Sequence, residues 1–419
     1  MNVLLRQATV IDTSSSFHGQ VVDLLMKDGV IQSIAPHIDS KDIPEITGTG
    51  LYVSTGWVDA LADYREPGYE QKETILTGLN AAAAGGFTDV LLAPNTNAVL
   101  DNKSAIQYVL GRSKDHPVQL HPLGAISREI AGKNLAEMMD MRAQGAIAFT
   151  DGWQPVQNSN LFLKALEYVK AFDGLLLQIP VDTALAAGGL MHEGVVSTRL
   201  GMPGVPALAE TLMVHRDIEL VRYTGSRLHI TGVSTAESVA MIRVAKAQGL
   251  DITCAVTPYH LALNDEALST YNNLYKVSPP LRTEQDRLAL VAALKDGTID
   301  CIASHHRPQD WDATAREFEY AGEGMNVQQL TFQIIWSAAG EEIGLDRLIA
   351  ALTTAPRTIF GLPVASIEAG NTVPLTIFTT DGSSSYQQSD MKSLGQNNPF
   401  LGKALKGKVV GIINNSTTS

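Results

Sequence analysis

The chain has 419 residues, 45% hydrophobic and 18% charged, a balance that is typical of a folded globular protein and excludes a disordered one. This length allows one large domain and one smaller domain. The net charge of −13 opposes binding to nucleic acid or to anionic membrane surfaces, so we expect neither as a partner.

The sequence contains no recognisable targeting or membrane segment. Arg6 interrupts the first apolar run too early for a signal peptide, and no apolar run reaches the roughly 18 residues that a membrane span needs. Cys254 and Cys301 lie in short apolar runs without metal-binding spacing, which predicts buried strand residues rather than a disulfide. We therefore expect a cytoplasmic protein.

Short apolar runs separated by turn residues occupy both ends of the chain. Near the N-terminus they are 3–5, 21–26 and 30–34, with Lys27-Asp28-Gly29 as a tight hairpin turn. Near the C-terminus they are 373–378 and 408–413. We predict that residues 1–52 and 365–419 pair into one small β-sandwich domain.

Residues 53–364 alternate strand-like runs with helical segments. The helical segment 134–142 has Asn134 as its predicted N-cap and Glu137 as the box partner, and a second segment is 238–246. About eight such units in roughly 300 residues favour a closed (β/α)₈ TIM-like barrel over an open sheet. Catalytic groups in such barrels lie at the C-terminal ends of the strands. The strand-like runs are 88–92, 119–123, 146–149, 175–178, 227–230, 252–256 and 301–303.

Residues 56–68, which read Gly-Trp-Val-Asp-Ala-Leu-Ala-Asp-Tyr-Arg-Glu-Pro-Gly, carry the most informative motif. This run resembles the end of the first barrel strand in dihydroorotases and related cyclic amidohydrolases of the amidohydrolase superfamily. The resemblance extends over nearly the whole chain, and it implies the barrel, the small β domain and a hydrolase of pyrimidine biosynthesis that uses a zinc-bound water. Further matching motifs are 94–96, 191–194, 200–206, 233–238, 278–282 and 406–409.

The zinc-binding positions of that family carry other residues in this chain. Leu61, Asp63, Gln178 and Gly232 stand where the family has histidines, and His305 stands where it has the aspartate that serves as ligand and general base. Asp151 keeps an acidic side chain at a further ligand position. Only Asp63, Asp151 and His305 have side chains suited to a metal. We therefore expect no zinc cofactor unless these three form a rebuilt site.

The retained polar residues allow alternative interpretations. His305 is either a new acid–base or metal-binding group, which with Asp151 makes the candidate catalytic set, or a side chain that fills the vacated pocket with a hydrogen bond. We favour the second interpretation. We also expect Asp63 and Asp151 to pair with Arg65 or Arg307 rather than with a metal, because a buried carboxylate without zinc needs a cation.

Arg65 and Asn95 match the family positions that hold the substrate carboxylate. Arginine suits this role because its planar fork donates two parallel hydrogen bonds. Ser278 replaces a substrate-binding asparagine and Gln309 replaces a histidine, and both changes weaken the case for dihydroorotate itself. Arg65, Asn95 and Ser278 are therefore the predicted substrate-binding residues, with a purely structural role in the loops as the alternative.

Three functions follow from this pattern. The first is a dihydroorotase-like pseudoenzyme that has lost the metal chemistry. Because non-catalytic dihydroorotase homologues are known as structural partners of aspartate transcarbamoylase, the resemblance implies that enzyme as a candidate partner and an assembly role in pyrimidine biosynthesis. The second is a cyclic amidohydrolase with a rebuilt metal site, and the third is a small-anion binding protein. The family resemblance also implies a homo-oligomer.

Overall fold

The computed structural model describes residues 2–39, 42–414 and 417–418. The strands are β1 (Asn2–Val10), β2 (Val21–Lys27), β3 (Val30–Ala35), β4 (Glu45–Ile46), β5 (Leu51–Thr55), β6 (Trp57–Ala62), β7 (Phe87–Leu92), β8 (Gln119–Pro122), β9 (Leu175–Gln178), β10 (Met191–His192), β11 (Gly204–Val205), β12 (Arg227–Thr231), β13 (Ile252–Val256), β14 (Cys301–Ile302), β15 (Leu375–Ser385), β16 (Ala404–Asn414) and β17 (Thr417–Thr418). The α-helices are α1 (Ile75–Ala84), α2 (Lys103–Ser113), α3 (Met138–Ala143), α4 (Ser159–Lys170), α5 (Val195–Leu200), α6 (Leu208–Thr224), α7 (Ala236–Ala247), α8 (Pro258–Ala262), α9 (Glu284–Asp296), α10 (Trp311–Thr314), α11 (Thr331–Ile343), α12 (Leu345–Leu352) and α13 (Thr354–Phe360).

Strands from both ends of the chain form one eight-stranded sheet in the order β17-β16-β15-β5-β1-β2-β3, with β4 beside β1. The antiparallel pairing of β15 with β5 joins the two ends. Between β2 and β3, Asp28 and Gly29 both have positive φ, as the mirror-image hairpin turn requires. The predicted domain boundary at 52/53 falls inside β5, because this strand still belongs to the small sheet.

The central part of the chain is a closed parallel barrel. Strands β6, β7 and β8 form one parallel group, and β9, β12, β13 and β14 form the other. Bridges from Phe149 to Gly124 and to Leu176 connect the two groups. The predicted strand 146–149 is thus reduced to bridges at its last residue. The predicted fold class, a (β/α)₈ barrel with a small β domain from both chain ends, is confirmed.

The barrel closes where β6 meets the segment after β14. Asp59 on β6 accepts hydrogen bonds from the Ser304 backbone amide at 2.8 Å and from the Gln328 side-chain amide at 2.6 Å. The His305 amide donates to the Leu61 carbonyl oxygen at 3.0 Å, and the Asp63 amide donates to the His306 carbonyl oxygen at 2.8 Å. This closure places the residues that follow β6 directly beside those that follow β14.

The helix predictions differ from the structure at their N-termini. Helix α3 begins at Met138 rather than after Asn134, so the predicted capping box is wrong. The chain around Asn134 instead pairs with an earlier loop, where its carbonyl oxygen accepts a hydrogen bond from the Arg128 amide. Helix α7 begins two residues before the predicted segment, and the Thr235 side chain caps it by accepting from the Ser238 amide.

Two further expectations concern the cysteines and the membrane. Cys254 and Cys301 are free and buried in adjacent strands, as predicted. In the described ranges, no helix combines the length and the apolar character that crossing a bilayer requires.

Candidate functional site

The candidate site lies at the mouth of the barrel, where the C-terminal ends of the strands meet. The structure brings most of the predicted residues to this end, each at or just after a barrel strand. They are Leu61, Asp63 and Arg65 with β6, Asn95 after β7, Asp151 after Phe149, Gln178 at the end of β9, Gly232 after β12 and His305 after β14.

His305 is packed against Gly232. Its Nε2 shares a hydrogen bond of 2.8 Å with the Thr231 hydroxyl, and its ring meets the Trp153 ring edge-on at 5.6 Å between centroids. A Cβ atom on Gly232 would lie 2.6 Å from Cε1 of His305, so residue 232 has no room for a side chain. Burial lowers the pKa of His305 to about 3, and the imidazole is therefore neutral at physiological pH.

Asp63 is buried in an ion pair with the arginine two residues further on. Its Oδ2 lies 3.1 Å from Nη1 of Arg65, and its Oδ1 accepts from the Arg65 backbone amide at 3.1 Å. Arg65 adopts a positive φ of 61°, which turns the backbone back toward the carboxylate. Leu61, by contrast, packs among the apolar side chains of the barrel interior.

Asp151 is held by the loop that follows β8. Its Oδ1 accepts from the amides of Ile126 and Ser127 at 2.9 and 3.0 Å, and its Oδ2 accepts from the Ser127 hydroxyl. The expectation that Asp151 pairs with Arg65 or Arg307 is therefore wrong, because backbone amides and a hydroxyl take the place of a cation. Burial raises the pKa of Asp151 to about 6, although these hydrogen bonds favour the ionised form.

These donors do not fit a zinc ion of the family type. A zinc site gathers several imidazole, thiolate or carboxylate groups around one point. Across residues 2–39, 42–414 and 417–418, no three His, Cys, Asp or Glu side chains are grouped in such a way. Asp63 faces Arg65, Asp151 is held by the 126–127 loop, and His305 bonds to Thr231. Asp63, Asp151 and His305, the three candidate metal ligands, therefore each contact a different part of the protein.

Trp153 and Arg307 pack together at the mouth, and sequence reasoning missed this contact, although each residue lies two positions beyond a predicted site residue, Asp151 or His305. The Arg307 guanidinium lies over the Trp153 ring at 5.1 Å. Arg307 also pairs with Glu323 at 3.5 Å. Burial and the nearby charge of Arg65 lower its pKa. The indole of Trp153 therefore contacts both the His305 ring and the Arg307 guanidinium.

Three cations lie near one another at the mouth. The pKa of Lys72 is lowered by burial and by the charges of Arg65 and Arg307. Lys72 Nζ donates to the Gln309 side-chain oxygen at 2.7 Å, so Gln309 serves as a local acceptor. Within the described residues, Nε of Arg65 is buried without a hydrogen-bond partner. Of the three cations, Arg65 pairs with Asp63 and Arg307 pairs with Glu323.

Asn95 and Ser278, the other predicted substrate-binding residues, lie in different surroundings. The Asn95 side-chain amide donates to the Asp151 carbonyl oxygen at 3.0 Å. Ser278 lines a small cavity of about 70 Å³, together with the Glu323 that pairs with Arg307. No hydrogen bond in the described part of the chain joins Ser278 to Arg65 or Asn95. The structure thus brings Asn95 to Asp151 but gives Ser278 different surroundings.

Two histidines outside this set form buried contacts of their own. His192 Nδ1 accepts from Nη1 of Arg282 at 3.2 Å. His229 Nδ1 shares a hydrogen bond of 2.8 Å with the Thr253 hydroxyl, and its ring packs against Phe360. Burial lowers the pKa of His229 to about 3. His229 therefore belongs to the packing of the barrel, whereas His192 lies on β10, outside the barrel strands.

The contact between Gly232 and His305 predicts a coupled pair of substitutions. Gly232→Ala should lower the free energy of unfolding by about 2–3 kcal/mol, from the clash with His305 and from the positive φ of 76°. The double variant Gly232→Ala/His305→Gly should lose at least about 1 kcal/mol less free energy of unfolding than the two single variants lose together. Urea denaturation of the three variants measures these losses.

Gly201→Ala is the matched control for this pair. Gly201 has a φ of 66° and an open space around its missing Cβ, so the substitution reports backbone strain alone. Strict additivity of Gly232→Ala and His305→Gly would contradict the packing described above.

Comparisons with known proteins agree with the fold and with the family resemblance. The family described as dihydro-orotase-like matches residues 51–238. A protein of Syntrophus aciditrophicus (strain SB) named dihydroorotase is 40% identical over 416 residues, which cover 98% of this chain and 97% of that protein. A protein of Pelotomaculum thermopropionicum with the same name is 40% identical over 412 residues, covering 97% of this chain and 96% of that one.

Solved structures support the architecture. The L-hydantoinase (dihydropyrimidinase) of Arthrobacter aurescens superposes with a TM-score of 0.84 at 20% identity, covering 99% of this chain and 95% of that one. A dihydropyrimidinase of Brevibacillus agri gives a TM-score of 0.83, also at 20% identity, covering 100% and 95%. At this identity the likeness shows the fold alone. The full-length similarity to the dihydroorotases is what shows the family, and the chain belongs to the dihydroorotase-like proteins.

Proposed function

We propose that this protein is a dihydroorotase-family member that keeps the fold but does not carry out metal-assisted hydrolysis, and that it has an assembly role in pyrimidine biosynthesis. The observation that carries the proposal is the packing of His305 against Gly232. A histidine at position 232 would overlap the ring of His305. Glycine at position 232 and histidine at position 305 are therefore sterically compatible with each other. Together they favour a metal-binding position that the His305 ring now occupies.

The rival function is a cyclic amidohydrolase with a rebuilt metal site. The names of the relatives at 40% identity favour it, since each is called dihydroorotase. Against it stands the donor set: Asp63 would have to leave Arg65, and Asp151 would have to leave the two amides of the 126–127 loop. Either movement leaves buried donors without acceptors, which costs about 1–3 kcal/mol for each group.

Metal analysis distinguishes the two functions. We expect protein purified after growth with added zinc to hold less than about 0.1 equivalents of transition metal per chain, because the described residues include no donor set that is arranged for it. The same protein should form no dihydroorotate from carbamoyl aspartate above the uncatalysed rate.

The controls use two carboxylates in different surroundings. Asp151→Ala removes a buried candidate ligand, whereas Asp312→Ala removes an exposed carboxylate on α10. Stoichiometric metal, or turnover, that is present in the wild type and in Asp312→Ala but absent in Asp151→Ala would establish the rebuilt enzyme and end the present proposal.

The assembly role has its own test. We expect the protein to form a complex with the aspartate transcarbamoylase of the same organism at about 10 µM of each chain, a concentration that captures affinities in the micromolar range. Sedimentation velocity should show a new, faster boundary in the mixture. Separate boundaries for the two proteins at every mixing ratio would contradict the assembly role. The absence of catalysis is tested separately, by the metal analysis.

A second candidate function is the binding of a small anion without turnover. It is favoured by the buried Nε of Arg65, which lacks a hydrogen-bond partner in the described residues, and by the neighbouring charges of Lys72 and Arg307. Asn95 lies after the adjacent strand and its Oδ1 is likewise buried without a partner among those residues. Such a site suits a carboxylate, which accepts two parallel bonds from one guanidinium.

Calorimetry with dihydroorotate tests this second function. Binding in the wild type should weaken by at least about tenfold in Arg65→Ala, since a charge-assisted hydrogen bond contributes about 1.5–3 kcal/mol. Arg128→Ala is the control, because this exposed arginine pairs only with Glu137 among the described residues. The anion site would be excluded for this ligand by equal binding heats in Arg65→Ala and Arg128→Ala, or by the absence of binding heat in the wild type.

A further inference from the structure

A cavity of about 190 Å³ lies between the barrel and the small sheet, away from the candidate site. Thr55, the last residue of β5, lines it from the small sheet. From the barrel it is lined by Asp89 of β7, by Gln119, the first residue of β8, and by Arg357 of α13. Because Gln119 begins its strand, the cavity is at the end of the barrel opposite the mouth.

A buried ion pair forms one wall of the cavity. Oδ2 of Asp89 lies 2.6 Å from Nη2 of Arg357, and Oδ1 lies 2.9 Å from Nε2 of His121. Burial acts to raise the pKa of Asp89, but the hydrogen bond with His121 and the charge of Arg357 outweigh it and lower the pKa. The carboxylate is therefore ionised at neutral pH, and its charge and that of Arg357 offset each other.

Several polar groups along the cavity have unused hydrogen-bonding capacity. Nη1 of Arg357 donates to the Pro363 carbonyl oxygen at 3.3 Å and Nη2 donates to Asp89, but Nε donates to no atom of the described residues. The Thr55 hydroxyl and the Gln119 side-chain amide likewise form no hydrogen bond within that part of the chain. Together these three groups offer donors and acceptors to a bound molecule.

The remaining walls are mainly apolar and leave room for one ring. Met26, Val373 and Ile413 line the cavity, and each is at least nine-tenths buried. An apolar cavity of about 150 Å³ holds a benzene molecule, so the larger volume here suits a single six-membered ring with small substituents. Gln119 and Thr372 are exposed, which gives a ligand access from solvent.

The charges of the wall favour a neutral ligand. Both oxygens of Asp89 are already bonded, Oδ1 to His121 and Oδ2 to Arg357 and the Thr88 hydroxyl, so a cation has no unpaired carboxylate to bind. An anion would approach the Asp89 carboxylate together with the guanidinium, which removes most of the attraction. Neutral carbonyl oxygens can accept from Nε of Arg357 without this repulsion.

We propose that this cavity is a binding site for a neutral, single-ring cyclic amide. Carbonyl oxygens of the ring accept hydrogen bonds from Nε of Arg357 and the Thr55 hydroxyl, and a ring N–H donates to the Gln119 side-chain oxygen. The faces of the ring contact Met26 and Val373. The site is separate from the mouth, so the proposal does not depend on whether the mouth binds a metal, an anion or neither.

Uracil, a neutral ring with two carbonyl oxygens and two N–H groups, is the probe. In protein labelled at the methionine methyl groups, uracil should shift the NMR signal of Met26 with a Kd below about 1 mM, and the signal of Met241 on α7 should not move. Orotate, the same ring with a carboxylate, should leave the Met26 signal unchanged at equal concentration. This readout uses the wild type, so it does not depend on a variant folding.

Calorimetry on variants tests the contacts. Thr55→Val and Gln119→Ala should each weaken uracil binding by about threefold or more, because each removes one hydrogen bond. Gln285→Ala on α9 is the matched control, since this glutamine is exposed and does not line the cavity. The proposal would be overturned by an unchanged Met26 signal at about 5 mM uracil, by orotate acting as strongly as uracil, or by wild-type affinity in both cavity variants.

Discussion

The closure of the barrel between β6 and the segment after β14 is the contact on which the candidate site depends. Asp59 is fully buried, and it holds Ser304 and Gln328 through its carboxylate. Burial raises the pKa of Asp59, while the hydrogen bonds from Ser304 and Gln328 act in the opposite direction. Because the two chain segments are joined here, the residues that follow them, Asp63 and His305, must share one small volume.

Much of the fold follows from local patterns in the sequence. Strand β13 matches its predicted run at both ends, because Ile252–Val256 is a short apolar run bounded by turns. The predicted strand at 146–149 was largely lost, and the capping box at Asn134 did not form. At Asn134, the carbonyl oxygen accepts a hydrogen bond from the Arg128 amide. Helix propensity cannot predict such a contact between loops.

The candidate site was predictable as a set of positions but not as a set of contacts. The proposed loss of metal ligands rests on Leu61, Gln178 and Gly232, which the family resemblance places at ligand positions. That Gly232 leaves room for the ring of His305 depends on two strands that are distant in the sequence. The partners of Asp151 were missed for a related reason: backbone amides are present at every residue, and only the fold decides which of them point at a carboxylate.

Under the proposed loss of the metal, the same contacts explain how the barrel stays folded. A metal site concentrates buried charge, and removing the ion alone leaves carboxylates and imidazoles without compensation. In this chain, Asp63 pairs with Arg65, Asp151 accepts two amides, and the pKa of His305 is low enough to keep the ring neutral. Each of the three side chains has a partner in the protein, while Nδ1 of His305 is buried without a hydrogen bond among the described residues. Under the proposed function, these protein partners take the place of the ion in holding the polar side chains at the mouth.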